Sequence, residues 1–221
     1  MIKAFIFDMD GTLADTEPQH YRAWREILLK NGAGEFSFET FLTYVGTSNE
    51  KVAGDHIENT GITKSVEQLI REKQELYLEM IPEIQLFAGA KQVIETYADR
   101  MTFAVASSSH HRELTEILRS NGIFDFFSSV IGGDMVNRRK PDPEIYLKTV
   151  DAIGVPAGSC LAFEDSTHGV NAAKNAQVRG IAIPNEFTRN HDFSRADRMI
   201  TSFHDVNDEL LQSLMEGNSG F

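Results

Sequence analysis

The sequence predicts an α/β fold in which a parallel sheet is flanked by helices and carries a small all-helical insertion. After residue 82, short apolar segments alternate with helical patterns, which is typical of a parallel sheet with helices on both faces. Residues 15–82 break that alternation, because their patterns are helical and lack the apolar runs of buried strands. We therefore predict a Rossmann-like core domain of residues 1–14 and 83–221, and a helical domain of residues 15–82.

Each predicted strand of the core is a short apolar run, the pattern of a strand that is buried on both faces. In chain order these runs are 3–7, 101–106, 129–131, 160–163 and 180–183, with a weaker one at 198–200. The helical patterns of the core are 88–99, 111–121, 144–153 and 168–176, followed by an amphipathic segment at 205–215. Gly122 and Gly154 follow two of these helices, where a left-handed cap favours glycine.

The insertion contains four helical patterns, at residues 18–30, 38–44, 49–59 and 65–81. Asp15 or Thr16 can cap the first helix. Pro82 ends the last one, because proline cannot continue a helix. We therefore expect an all-helical domain that enters the chain after the first strand of the core.

Composition and charge exclude several classes of protein. Of 221 residues, 41% are hydrophobic and 24% are charged, as in soluble globular chains. The 21 basic and 33 acidic residues give a net charge of −12, and such a surface repels nucleic acids and anionic membranes. No apolar run has the length of a membrane span, and the single Cys160 suits a reducing compartment. We expect a cytoplasmic protein with no nucleic-acid or membrane partner.

Acidic residues follow two of the predicted strands. Asp8 and Asp10 come directly after the first apolar run, and Glu164 and Asp165 follow the run 160–163. The carboxyl ends of parallel strands are where ligands bind, so these carboxylates are expected to meet at one edge of the sheet. Their mutual repulsion costs several kcal/mol unless a cation lies among them. An oxygen-only ligand set favours Mg²⁺ over Zn²⁺.

Two further strand ends supply groups that suit a phosphate. Ser107, Ser108 and Ser109 follow the run 101–106, and Lys140 precedes a predicted helix. Each motif alone also fits a turn, a loop or a helix start. Together and in this order they predict phosphoryl transfer, with a carboxylate nucleophile that becomes phosphorylated.

The motifs identify the sequence as similar to the haloacid dehalogenase superfamily, in its helical-cap branch of small sugar phosphatases and β-phosphoglucomutase. Residues 7–13, Phe-Asp-Met-Asp-Gly-Thr-Leu, resemble the first motif of that family and Ser107 resembles the second. Residues 140–143, Lys-Pro-Asp-Pro, resemble the third, and residues 163–166, Phe-Glu-Asp-Ser, the fourth. The resemblance covers nearly the whole chain and implies a small helical cap over the core.

The resemblance implies a role for each core residue. Asp8 would be the nucleophile, and Asp10 would protonate the leaving oxygen and then activate water. Ser107 and Lys140 would hold the transferring phosphoryl group.

The resemblance also implies Mg²⁺ as the cofactor. It would be bound by Asp8, by the backbone carbonyl of Asp10 and by Asp165, with Glu164 acting through water.

In the insertion, His20 and Lys73 resemble substrate-contacting positions of the cap, and we expect Asn49, Ser109 and His110 to contact the substrate as well. The structural alternatives are a partly exposed helix residue for His20, and for Lys73 a solvated helix lysine among Arg71, Glu72 and Glu75. We interpret Trp24 as a packing residue.

The sequence departs from the mutase pattern at two places. Asn49 stands where the mutase has an arginine that binds a second phosphate, and His110 follows Ser109 where the mutase has lysine. Loss of a guanidinium removes a bidentate phosphate contact. We therefore expect a phosphatase of a small phosphorylated metabolite, with a sugar phosphate as the preferred substrate class. The resemblance also implies a monomer. The alternatives are a phosphosugar mutase, a phosphonatase that uses Lys73, and a non-catalytic binder.

Overall fold

A computed structural model of the protein describes residues 1–45 and 47–216. Its strands are β1 (Ala4–Phe7), β2 (Ala14–Asp15), β3 (Gln85–Leu86), β4 (Thr102–Ala106), β5 (Phe127–Ile131), β6 (Cys160–Glu164), β7 (Arg179–Ala182) and β8 (Arg198–Met199). Its helices are α1 (Glu17–Lys30), α2 (Phe38–Leu42), α3 (Asn49–Thr60), α4 (Val66–Met80), α5 (Ala90–Tyr97), α6 (His111–Ser120), α7 (Glu144–Ile153), α8 (Thr167–Asn175) and α9 (Asp208–Met215). None of these helices is long and apolar enough to cross a bilayer.

The described chain forms two compact units. The core unit consists of Met1–Asp15 and the described part of Gln85–Phe221, and the helical unit is Thr16–Ile84. The core unit contains a six-stranded sheet in the order β5-β4-β1-β6-β7-β8, in which every neighbouring pair is parallel. The predicted α/β class with a parallel, Rossmann-like sheet is thereby confirmed.

The register of the three central strands places their carboxyl ends side by side. Phe7 pairs with Val105 of β4 on one side and with Phe163 of β6 on the other. Glu164, the last residue of β6, pairs with Ala182 of β7. The loops that follow these four strands therefore begin at nearly the same level of the sheet.

The two faces of β1 are buried by different side chains. Phe5 and Phe7 lie on one face, where Phe7 stacks on Phe163 with ring centroids 5.1 Å apart. Ala4 and Ile6 lie on the other face, in a cluster with small residues of β4, β6 and α8. Burial on both faces explains why the strands appear in the sequence as continuous apolar runs.

Two features of the core unit do not follow from the apolar periodicity of the sequence. Strands β2 and β3 form a short antiparallel pair, and strands of two residues have no readable periodicity. Gln177 follows α8 with φ of 60°, in the left-handed region, and the next amide N–H, that of Val178, donates to the carbonyl of Ala173. Gln177 therefore occupies a helix-ending position that usually favours glycine.

The helical unit has its own apolar core. Trp24 is 2% exposed and packs in a cluster with residues of α1, α3 and α4, so its interpretation as a packing residue is confirmed. Ser65 begins α4 with a capping box, in which its hydroxyl accepts from the amide N–H of Gln68 and the Gln68 side chain accepts from the amide N–H of Ser65. This cap satisfies backbone donors that a helix start leaves unpaired.

Candidate active site

The ends of β1 and β6 bring three carboxylates together. One oxygen each of Asp8, Glu164 and Asp165 lies within 4.8 Å of the others, and all three residues are buried. Asp8 leaves β1 directly after Phe7, and Glu164 ends β6 directly after Phe163, the partner of Phe7 in the sheet. The pairing of two parallel strands is therefore what creates this acidic cluster.

Lys140 is the cation of the cluster. Its Nζ donates to Asp8 Oδ1 at 2.8 Å, to Glu164 Oε1 at 2.6 Å and to the carbonyl of Ala106 at 2.9 Å. Burial alone would lower the pKa of Lys140, but the charges of Asp8 and Glu164 outweigh it and raise the pKa above its usual range. Lys140 is therefore an ammonium at neutral pH.

Asp8 is short of positive charge despite this contact. Burial raises the pKa of Asp8 to about 7, Lys140 acts to lower it, and the charges of Glu164 and Asp10 raise it further. With all three carboxylates ionised, the ammonium of Lys140 would offset one of their three negative charges.

Glu164 carries a second sign that a cation belongs here. Its Oε1 accepts from Lys140 and from the hydroxyl of Tyr146 at 2.6 Å, whereas its buried Oε2 has no hydrogen-bond partner among the described residues. Gly169 of α8 leaves room for this oxygen, since a Cβ on that residue would lie 1.8 Å from it. A buried, unpaired oxygen within an oxygen-only cluster fits a hard divalent cation such as Mg²⁺. The water between Glu164 and the metal stays a prediction.

Asp10 is held by two serines that follow β4. Its Oδ2 accepts from the hydroxyl of Ser107 at 3.0 Å and from that of Ser109 at 2.7 Å. The Ser107 oxygen also accepts from the amide N–H of Ser109 at 3.1 Å. Ser109, predicted as a substrate contact, thus lies in the core unit on the carboxylate of Asp10. Contact of either serine with a phosphate stays a prediction.

The helical unit joins two of the predicted cap residues. Lys73 is completely buried, and its Nζ lies 2.7 Å from Nδ1 of the half-buried His20. Both side chains contact Tyr77: the imidazole stacks on its ring at 4.2 Å, and the ammonium lies 4.5 Å from the ring centroid. The alternative interpretation of Lys73 as a solvated helix residue is therefore wrong.

The contact with Lys73 assigns the tautomer of His20. A lysine ammonium has donors and no acceptor, so Nδ1 of His20 accepts this hydrogen bond. An imidazole that accepts at Nδ1 carries its proton on Nε2.

The two remaining predicted residues lie at helix starts. Asn49 is the first residue of α3, after the capping residue Ser48. His110 precedes α6 and donates its amide N–H to Glu113 Oε2 at 3.1 Å. Their contact with substrate stays a prediction.

Two residues with a place in the site were missed by the sequence analysis. Tyr146 is a helix residue, and its contact with Glu164 has no sequence signal beyond the apolar periodicity of α7. Asn185 donates its side-chain N–H groups to Asp165 and to the backbone of Gly11. A signal did exist for Asn185, because it closely follows the apolar run that becomes β7.

Comparisons with known proteins agree with this arrangement. The family model described as haloacid dehalogenase-like hydrolase matches residues 5–183. This chain belongs to that family. The resemblance inferred from the four motifs is confirmed, and the match includes the strand ends that carry Asp8 and Glu164.

Individual members of this haloacid dehalogenase-like family are similar over most of their length. The chain is 34% identical to protein CbbY of Rhodobacter capsulatus, over 89% of this chain and 91% of that protein. It is 32% identical to a phosphorylated carbohydrates phosphatase of Thermotoga maritima, over 81% and 84% of the two chains. A crystal structure of mutant CbbY from Rhodobacter sphaeroides in complex with xylulose-(1,5)bisphosphate superimposes with a TM-score of 0.85, at 28% identity over 94% and 97% of the chains.

Proposed function

We propose that this phosphatase of the haloacid dehalogenase-like family hydrolyses a small phosphorylated metabolite, a sugar phosphate, with Mg²⁺ and through an aspartyl-phosphate intermediate. The observation that carries the proposal is the placement of Asp8. It lies in one acidic cluster with Glu164 and Asp165 and also receives a hydrogen bond from the ammonium of Lys140. Phosphoryl transfer needs this combination, because the nucleophile must attack phosphorus while positive charge lies close to the phosphoryl oxygens.

The chain's own residues divide the chemistry between them. An oxygen of Asp8 attacks phosphorus, and the bond from phosphorus to the leaving oxygen breaks. The carboxyl of Asp10 gives its proton to that oxygen. Asp10 then takes a proton from water, the water oxygen bonds to phosphorus, and the bond from phosphorus to the Asp8 oxygen breaks, which releases inorganic phosphate and restores the carboxylate of Asp8 and the protonated carboxyl of Asp10.

Ser107 and Lys140 bind the phosphoryl oxygens in this proposal. The Ser107 hydroxyl, which now donates to Asp10, would donate to a phosphoryl oxygen instead, and the ammonium of Lys140 supplies charge that burial protects from solvent screening.

Asp8, Glu164, Asp165 and the backbone carbonyl of Asp10 are the residues that would hold Mg²⁺. When bound, the ion offsets the charge of the carboxylates and of the transferring phosphoryl group.

The similar proteins support the substrate class. One is named for phosphorylated carbohydrates, and another binds a sugar bisphosphate in its crystal structure. Hydrolysis is preferred to mutation because Asn49 offers an amide where a second phosphate would need a cation. The non-catalytic alternative conflicts with the buried cluster, since an idle site would not benefit from unbalanced charge.

We further propose that the helical unit acts as a cap that selects the leaving group through His20, Asn49 and Lys73, with Ser109 and His110 contributing from the loop after β4. The protein is proposed to act as a monomer in the cytoplasm. Its net charge of −12 disfavours nucleic-acid and membrane partners.

The test is phosphate release from a panel of sugar phosphates, phosphoglycolate, nucleotides and pyrophosphate, with Mg²⁺ or with EDTA. Asp8→Asn provides the blank, because an amide cannot act as the nucleophile. We expect Mg²⁺-dependent release that peaks on a sugar phosphate and is at least about 1,000-fold slower in the variant. Wild-type protein that releases no phosphate from any compound would refute the proposal, and isomerisation of glucose 1-phosphate with a bisphosphate primer would then identify a mutase.

A further inference from the structure

The loop after β7 contains a side chain that contacts both acidic strand ends. The Nδ2 of Asn185 donates to Asp165 Oδ2 at 2.8 Å and to the carbonyl of Gly11 at 3.0 Å. Its Oδ1 accepts from the amide N–H groups of Phe187 at 2.8 Å and Thr188 at 3.2 Å. All the donors and acceptors of the amide are therefore used within the protein.

These four contacts determine the orientation of the amide. A flipped Asn185 would place its oxygen against Asp165 Oδ2 and the Gly11 carbonyl, and its NH₂ group against two N–H donors. The turn is closed from its other end by Thr188, a buried residue whose Oγ1 accepts from the amide N–H of Asn185 at 3.1 Å. The loop therefore presents two donors toward the strand ends in a fixed direction.

The backbone at Gly11 passes close to the side chains of Asp165 and Asn185. Gly11 has φ of 74°, and a Cβ on it would lie 2.5 Å from Asp165 Oδ2 and 2.6 Å from Asn185 Nδ2. Glycine is required there both by the backbone conformation and by the close approach. The loops after β1, β6 and β7 thus converge on one amide.

We infer that Asn185 is a positioning residue of the metal centre, holding the Asp165 carboxylate and the Asp8–Gly11 loop in the geometry that binds Mg²⁺. The inference rests on the proposed function, since that proposal supplies the metal. Asp165 lies beside two other carboxylates whose charge repels its own, and the Asn185 donor holds its side chain against that repulsion. Donors that hold a ligating carboxylate in place commonly change metal affinity by one to two orders of magnitude. Asn185 does not act on substrate itself, because its amide has no donor or acceptor left to offer.

The test measures Mg²⁺ binding to the full-length, EDTA-treated protein by titration calorimetry, without substrate. Two variants separate the two roles of the Asn185 side chain, which accepts from the turn and donates to Asp165. Asn185→Ala removes the acceptor of the turn and the donor to Asp165. In Asn185→Ser, the hydroxyl still accepts from the amide N–H of Phe187 but is too short to reach Asp165. The control is Asn207→Ala, which removes another asparagine that accepts from a backbone N–H three residues on, at the start of α9.

We expect both Asn185 variants to bind Mg²⁺ about 10- to 100-fold more weakly than wild type, and Asn207→Ala to bind within twofold of it. We also expect kcat of Asn185→Ser to approach the wild-type value at saturating Mg²⁺, as for a residue that acts only through the metal. An Asn185→Ser protein that is folded and binds Mg²⁺ within twofold of wild type would overturn the inference while leaving the proposed function intact. Wild-type protein that binds no Mg²⁺ would overturn both.

Discussion

Each unit of the protein contains a buried lysine, and the contacts described within each unit differ between the two lysines. In the core unit, Lys140 donates to the carboxylates of Asp8 and Glu164. It also lies above the ring of Tyr146, 5.4 Å from the centroid. Removing an ammonium from water costs several kcal/mol, and here nearby negative charge offsets that cost.

In the helical unit, Lys73 donates to a neutral ring nitrogen of His20 and lies above the ring of Tyr77. Both lysines thus combine a hydrogen-bond acceptor with an aromatic face. They differ in the charge of the acceptor within their own unit. We expect Lys140 to act through its fixed charge and Lys73 to orient the imidazole of His20.

The largest expected effect comes from removing the charge of Lys140. Lys140→Met keeps the length of the side chain but leaves Asp8 and Glu164 without their ammonium, so we expect kcat for phosphate release to fall by about 1,000-fold at saturating Mg²⁺. The control is Lys174→Met, because Lys174 pairs with Asp197 in the same unit, away from the acidic cluster. A Lys140→Met enzyme with more than a tenth of wild-type kcat would contradict the comparison.

The second prediction concerns the stability of the metal-free protein. The pKa of Asp8 is about 7 in the folded chain, against 3.8 for a free carboxyl, so the folded state binds more protons than the unfolded state between these values. Unfolding free energy should therefore fall as pH rises from about 4 to 7. Asp8→Asn lacks that titration, and we expect it to be about 2–4 kcal/mol more stable than wild type at pH 8 in EDTA.

Urea denaturation at pH 4, 6 and 8 checks this prediction. The difference in unfolding free energy between Asp8→Asn and wild type should be smallest at pH 4, where the side chain at position 8 is neutral in both folded proteins. It should also shrink when Mg²⁺ replaces EDTA, because a bound cation stabilises the ionised carboxylate. A difference that does not change with pH would show that Asp8 is not short of positive charge.

Both the fold and the core site were predictable from the sequence where residues follow strands. Parallel pairing brings the carboxyl ends of the strands to one edge of the sheet, so Asp8, Ser107 and Glu164 could be assigned to that edge from the sequence alone. Side chains on helices are different, because periodicity identifies a buried face but not the neighbour across it. Lys73 lies among charged residues in the sequence and is nevertheless fully buried, and Tyr146 had no signal for its contact with Glu164.

A smaller effect should separate the hydroxyl of Tyr146 from its ring. Tyr146→Phe keeps the aromatic face beneath Lys140 and removes only the donor to Glu164, so a buried carboxylate loses one of its hydrogen bonds. We expect the unfolding free energy to fall by about 1.5–3 kcal/mol, measured in urea without Mg²⁺. Tyr97→Phe is the matched control: its hydroxyl donates to Asp208, which is exposed, and we expect a loss below about 1 kcal/mol. If the two variants lost the same unfolding free energy, burial of Glu164 would not strengthen its hydrogen bond with Tyr146.

The smallest effect is expected for removal of the Lys73 ammonium, and its size tests the role of this lysine. Lys73→Met removes the donor to Nδ1 of His20 while filling the same space above Tyr77, so the imidazole loses one hydrogen bond and its preferred tautomer. One such bond is worth about 1–1.5 kcal/mol, and we expect kcat/KM for the preferred phosphorylated substrate to fall by about tenfold. Lys51→Met is the control, since that exposed lysine pairs with Asp55 in the same unit.

The size of the loss distinguishes the mechanisms that a buried lysine allows. A phosphonatase needs the amine of Lys73 as a covalent group, and Lys73→Met would then abolish turnover instead of reducing it tenfold. An unchanged kcat/KM would mean that the contact with His20 serves only to pack the helical unit. A tenfold loss in kcat/KM with phosphate release still dependent on Asp8 fits neither of these, and it would support a role for Lys73 in orienting His20 toward the substrate.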